Sequence, residues 1–287
     1  MSAESLRYVG DAVPYTYIGD SHSGIGTFLL EDPQSGERIV TRMSGIWRFV
    51  AQDVLGPDLM IGEELMQSLR RLGAFHSSPS LPEVPGLRPI QTTYYDEKRT
   101  EYLALTEFAN SVPYVLTVGE INLRQILGRF AEDDVDFEIP FAADGLERLS
   151  RVKPRQTIGW ADVLAMLGRE FQPLFLGLRL LRSAGLHTIY LHSIPPPTTD
   201  DGEAERVYQH SSTGSLRYKL AMLINYLYSA VCNDVGIGFV DLWPMVTERN
   251  LLKDEFHLDG LHLNRQASIL SVTEVHRQFA KARLQTV

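Results

Sequence analysis

Four short apolar runs, Tyr15–Gly19, Tyr114–Val118, Thr188–His192 and Gly238–Leu242, set the frame of this chain. Each is too short for an ordinary helix, and the last three follow segments of helical periodicity. Glu64–Leu72, Trp160–Ala184, Leu216–Val235 and Asn264–Arg283 repeat apolar side chains at helical spacing. Strands that alternate with helices predict a parallel sheet covered on both faces. Pro173 should kink or divide the second helix, and Gly185 should end it. Between the first run and Gly45, Thr27–Leu30 and Arg38–Thr41 flank Asp32–Gly36. That pattern predicts a hairpin, or a second sheet strand preceded by an edge strand. The proline-rich stretch Ser77–Arg88 reads as a loop placed to reach over a site. With no internal repeat and no linker, residues 1–287 read as one α/β domain with loop insertions.

The first run leads directly into Gly19-Asp20-Ser21-His22-Ser23. A β-prone run ending in Gly and then Ser puts a hydroxyl at the mouth of a sheet, where a helix would begin and free amides gather. Near the other end lies Asp259-Gly260-Leu261-His262, in which one turn of chain can set a carboxylate beside an imidazole. Ser21 as nucleophile, His262 as base and Asp259 as orienting acid make the set that acyl transfer needs. Taken alone, Ser21 and Asp259 are equally readable as helix caps. His22 is either a hydrogen-bond donor at the mouth or a bystander. His257 and His262 raise a metal alternative, but their spacing matches no zinc motif, and no metal is expected. Gly24 and Gly26 lack the next glycine of a dinucleotide loop, and no phosphate-binding Gly-Lys-Ser/Thr is present, so no cofactor is expected.

Gly19-Asp20-Ser21 after an N-terminal strand, with Asp259-x-x-His262 near the C-terminus, resembles the SGNH (GDSL-type) hydrolase superfamily. A lipase-type elbow would need Gly at position 23 and a mid-chain serine. The resemblance runs from Tyr15 to about Ala267. It implies a three-layer α/β/α sandwich with a flavodoxin-like parallel sheet and serine-dependent work on acyl esters. It also assigns oxyanion donors: the backbone N–H of Ser21, that of Gly45, and the side chain of an Asn after the third strand. There the sequence departs from the family pattern. Gly119-Glu120-Ile121-Asn122-Leu123-Arg124 carries its Asn three residues after the Gly instead of two, and resembles a Gly-Glu-Ile-Asp-x-Arg variant. The expectation is that Asn122 reaches the hole through a shifted turn, with Glu120 and Arg124 paired or binding substrate. Ser193-Ile194-Pro195-Pro196-Pro197 and the polar stretch to Gly214 are expected as a lid, a substrate wall or a plain connection.

The expected activity is an esterase or deacylase acting on a small O-acyl ester of a carbohydrate or polar metabolite. The alternatives are an O-acyltransferase with the same triad and an SGNH-like binding protein without turnover. A formal charge of −9 argues against nucleic-acid partners. Acidic clusters such as Glu132-Asp133-Asp134 and Asp200-Asp201 read as solvated loops. The single cysteine, Cys232, lies in an apolar helical run and reads as a buried thiol in a reducing compartment. No signal peptide or membrane span is visible, and a cytoplasmic protein is expected.

Overall fold

The computed structural model describes residues 12–19, 29–31, 36–56, 59–78, 90–92, 101–141, 144–260 and 262–285. In chain order its strands and helices begin with β1 (Ala12–Gly19), β2 (Leu29–Glu31), β3 (Arg38–Gly45) and α1 (Glu63–Arg71). A small antiparallel sheet follows, made of β4 (Phe75–Ser78), β5 (Ile90–Thr92) and β6 (Glu101–Leu105). Then come β7 (Tyr114–Thr117), α2 (Glu120–Glu132), β8 (Val135–Phe137) and β9 (Gln156–Ile158). The second half contains α3 (Trp160–Glu170), α4 (Gln172–Ser183), β10 (Ile189–His192), α5 (Asp201–Tyr208) and α6 (Gly214–Val235). It closes with β11 (Gly238–Val240), α7 (Trp243–Val246), β12 (Thr247–Glu248), β13 (Leu251–Leu252) and α8 (Arg265–Gln285).

The main sheet runs β11-β10-β7-β1-β3-β2. All neighbours are parallel except β2, which lies antiparallel on β3 as a short edge strand. Among the parallel strands, taken in chain order, the spatial order is therefore 2-1-3-4-5, the doubly wound arrangement whose ligand crevice opens where the winding reverses, between β1 and β7. The period-two pleat of the strands sorts their side chains into two layers. Val13, Tyr15 and Tyr17 of β1, with Val115, Tyr190 and Val240, meet Val272, Val275 and Phe279 of α8. On the other face, Ile18, Tyr114, Leu116, Ile189 and Leu191 join a larger core with α1, α2, α3, α4 and α6. The α/β/α layering expected from the alternating runs is present.

Three expectations need correction. The stretch after Gly119 is not a turn but the start of α2, whose Leu123, Ile126, Leu127 and Phe130 form one buried stripe. The polar stretch before Gly214 contains α5, opened by Asp200, whose Oδ1 accepts from Glu203 N–H at 2.9 Å. Asp201 belongs to that helix and not to a loop, and its partly exposed carboxylate accepts from the fully buried Arg217 at 2.8 Å. The same guanidinium bonds the Thr198 and Ser212 carbonyls, so α5 is tied to α6 rather than left as a mobile lid. The long helix is divided as expected, with Phe171 between α3 and α4 and Pro173 in the first turn of α4. Ser77 and Ser78 belong to β4, and the rest of the proline-rich stretch up to Pro89 lies outside the described residues.

Candidate functional site

The site is built at the C-terminal ends of β1, β3, β7 and β10. Gly19 ends β1 in register with Gly45 on one side and Thr117 on the other. A Cβ on Gly19 would lie 2.0 Å from both Thr117 O and Oγ1, so the close approach of β1 and β7 there requires glycine. Gly119, just past β7, has φ +114°, and a Cβ there would meet the Tyr228 hydroxyl at 2.1 Å. That hydroxyl donates to Val118 O at 3.0 Å and fixes the turn into α2. Asp20, Ser21, His22 and Ser23 lie outside the described residues.

Asp259 and His262 do come together. Both carboxylate oxygens stand 2.9 Å from His262 Nδ1, and Oδ1 also accepts from the His262 backbone N–H at 2.8 Å. Gly260 adopts φ +70°, which turns the chain sharply enough for residue 259 to reach residue 262. The turn is braced by Leu258 N–H donating to His262 O at 3.1 Å and by the bridge between His257 and Leu263. An acceptor at Nδ1 makes that atom the N–H and leaves Nε2 as the basic nitrogen. This is the orientation a general base requires.

His262 opens onto a crevice of about 50 Å³ lined also by Thr117, Glu120, His192, Ser193 and Ser271. Its floor is a chain of buried hydroxyls and an imidazole that sequence reasoning missed. His192 Nδ1 lies 2.7 Å from Ser193 O, so it is the N–H, and Nε2 accepts from Ser271 Oγ at 2.9 Å. Ser271 in turn accepts from the Tyr17 hydroxyl at 3.2 Å. Burial lowers the His192 pKa from 6.5 to about 4 against a smaller opposing effect of the Ser193 carbonyl, and burial raises that of Tyr17. The floor is therefore polar yet uncharged at neutral pH. A lone His at the end of an apolar strand run was the available signal. Beside it, Asn225 holds Ile194 by its N–H (2.8 Å) and carbonyl (2.9 Å), and Trp243 Nε1 donates to the same carbonyl at 2.6 Å.

The third block is arranged differently from the expectation. Glu120 lines the crevice and is held by Arg124 in a bidentate pair at 2.6 and 2.5 Å. Asn122, two residues further round the helix, is fully buried elsewhere. Its Oδ1 accepts from Ala51 N–H and its Nδ2 donates to Gln52 Oε1, each at 2.9 Å. An α-helix turns about 100° per residue, so positions 120 and 122 face nearly opposite directions. Asn122 thus braces α2 against the short turn at Ala51–Asp53, and the oxyanion role expected of it is withdrawn. Gly45 stays with the site: the next amide, Ile46 N–H, donates to Gly19 O at 2.8 Å. Among the described residues, a Cβ on Gly45 would meet only Met43 Cε at 4.0 Å, so packing against them does not demand glycine there.

No family model matches the chain, and no curated protein matches it in sequence. Solved structures do resemble it. An extracellular lipase from Streptomyces rimosus aligns at 12% identity and TM-score 0.45, over 93% of this chain and 99% of that one. A GDSL-like lipase from Bacteroides thetaiotaomicron aligns at 12% and 0.43, over 98% and 96%. The aryl esterase of M. smegmatis aligns at 13% and 0.43, over 94% and 99%. Likeness at this level assigns no family.

Among the described residues no His/Cys/Asp/Glu cluster suits a metal ion, and no helix is long and apolar enough to cross a membrane. Cys232 is buried in α6, and its thiol pKa is pushed up to about 12 by desolvation.

Proposed function

We propose that the chain is a serine-dependent ester hydrolase of the SGNH (GDSL) type, acting through an acyl-enzyme on Ser21. The carrying observation is the Asp259–His262 pair, joined at 2.9 Å and opening onto the crevice at the parallel strand ends. Ser21 stands two residues beyond Gly19, a reach of about 7 Å from the end of the strand next to that crevice. In this reading Ser21 Oγ attacks the ester carbonyl while His262 Nε2 takes its proton. His262 then returns that proton to the departing alkoxide oxygen. Water, deprotonated by the same nitrogen, releases the acid and restores Ser21. Asp259 holds the tautomer and stabilises the imidazolium.

The oxyanion is assigned to the backbone amides of Ser21 and Gly45, since the Asn122 carboxamide is engaged at Ala51 and Gln52. Bare hydrogen at Gly45 leaves room for the tetrahedral centre. The crevice also exposes Val118, Ile194, Leu242 and Leu263, but at about 50 Å³ it suits the acyl group of a small O-acyl ester of a carbohydrate or other polar metabolite better than a long acyl chain. The lone buried Cys232 fits a reducing compartment, and we assign the protein to the cytoplasm on that ground, as a single domain over residues 1–287.

A fluorophosphonate probe tests the reading. Stoichiometric labelling that disappears in Ser21→Ala, together with turnover of a short-chain chromogenic ester, is the expected result. One observation favours a second reading. Loss of the Asn donor would slow turnover about 10²–10³-fold in an enzyme that relied on it, which suits an SGNH-like binding protein. Absence of labelling between about pH 6 and pH 9, where a neutral His can serve as base, would decide for that reading. If the probe labels but acid release stays slow until a sugar alcohol is added, the same triad serves acyl transfer instead.

A further inference from the structure

Behind the Asp259–His262 turn, a second group of titratable side chains touches the same loop from outside. His257 Nε2 lies 2.9 Å from Glu203 Oε2 on α5 and 3.0 Å from the backbone nitrogen of Gly260. Glu203 is held in turn by Thr198 Oγ1, which donates to Oε2 at 2.7 Å, and its Oε1 lies 3.6 Å from Arg206. Packing is tight at this point: a Cβ on Gly260 would fall 2.5 Å from Glu203 Cγ and 2.6 Å from Cδ. Thus α5, itself tied to α6 by Arg217, presses a carboxylate against the residue that follows Asp259.

One nitrogen cannot serve both neighbours. When Nε2 carries no proton it accepts from Gly260 N–H and faces the Glu203 carboxylate lone pair to lone pair. When Nε2 is protonated it donates to Glu203, and the Gly260 N–H is left facing another N–H. The charged and titratable groups around the imidazole are Asp200, Glu203 and Arg206 from α5 and its cap, Asp254 from the preceding turn, and Asp259 and His262 from its own loop.

We propose that His257 is a positioning residue for the Asp259–His262 pair. It fastens the turn through Gly260 N–H when Nε2 is unprotonated, and surrenders that bond to Glu203 when Nε2 is protonated. Gly260 is the left-handed residue that lets Asp259 reach His262, so its amide governs the aim of the carboxylate. The consequence for turnover rests on the esterase reading. The switch of partner does not.

The test uses the full chain and follows the Gly260 amide by NMR as pH is lowered. In the wild type the neutral ring is the Nδ1–H tautomer, which leaves Nε2 to accept, so the amide proton should move upfield through an inflection as that acceptor is lost. Glutamine at 257 carries acceptor and donor on separate atoms and can satisfy Gly260 and Glu203 together. In His257→Gln most of the inflection should therefore vanish. The same pH-dependent shift in wild type and His257→Gln would overturn the proposal, as would a Gly260 amide that does not respond to pH. In ester turnover, His257→Ala should lower kcat about tenfold with KM little changed, because a misdirected carboxylate disturbs the transition state more than binding. His257→Gln should recover most of that loss. Equal losses in both variants would reduce His257 to a packing role. If Ser21 takes no probe and no ester turns over, the functional reading fails, while the Gly260 titration still decides the partner switch.

Discussion

The two flanks of the crevice are built on opposite principles. On the C-terminal flank, Asp259 and His262 meet through contacts spanning three residues, so their meeting is set locally and the rest of the fold only tunes its aim. On the other flank, Glu120, Asn122 and Arg124 ride on α2, and what each side chain faces depends on how that helix is rotated against the sheet. A motif closed by a tight turn keeps its meaning when read as letters. Carried by a helix, it changes meaning when one residue is gained or lost, because each step swings a side chain by about 100°.

The most severe break is on the local flank. His262→Ala should lower kcat by about 10⁴-fold or more while folding is retained, since it removes the base from a set that acts as a unit. Single-turnover kinetics check this, and a loss below about a hundredfold would mean that the local geometry is not the catalytic one. Next in size is the floor that joins the two flanks. His192 is neutral when buried, with a pKa near 4 against 6.5 when exposed. The unfolded chain therefore binds a proton in a range where the native protein does not. Stability present above about pH 6.5 should fall as pH drops toward 4, by about 3 kcal/mol in total. Denaturant midpoints across that range should slope in the wild type and flatten in His192→Asn.

On the helical flank, Asn122→Ala should destabilise the protein by about 1–3 kcal/mol, because Ala51 N–H and Gln52 each lose a buried partner. Its kcat per folded molecule should stay near wild type. A large drop in kcat with an unchanged unfolding midpoint would restore the oxyanion role withdrawn above. The smallest effect concerns Arg124. Arg124→Ala takes the bidentate partner from the Glu120 carboxylate that lines the crevice, and kcat/KM should fall about tenfold. Adding Glu120→Gln should recover most of it; failure to recover would mean that Arg124 acts on the substrate directly.

Much of the frame was legible because it depends on local pattern. The apolar runs at Tyr15–Gly19 and Tyr114–Val118 could be little else than buried strands, and Pro173 marks the break between α3 and α4. α2 was equally legible from Leu123, Ile126, Leu127 and Phe130. The Gly119–Arg124 block masks it, because the family pattern it resembles implies a turn there. α5 was hidden for a physical reason: it buries only Ala204 and Tyr208, and it stays in place through Arg217 on another helix. Contacts across long stretches of chain leave no periodic trace. Glu203 meets His257 over 54 residues and His192 meets Ser271 over 79, and neither pair could be read from spacing.

The position of β1 in the sheet bears on how such a chain comes off the ribosome. β1 lies inside the sheet, paired to β3 and β7, and its outer face is covered by α8, which is made after every strand of that sheet. Tyr15 waits 261 residues for the hydrogen bond between its hydroxyl and His276 Nδ1, 2.7 Å away. Until α8 emerges, Val13, Tyr15, Tyr17, Val115, Tyr190 and Val240 form a bare apolar face on an otherwise assembled sheet. Such a nascent chain is sticky, and the sequence separation of these contacts slows its completion. A chain stopped before Arg265 should therefore be a chaperone client or an aggregate, even though both flanks of the crevice have already been synthesised.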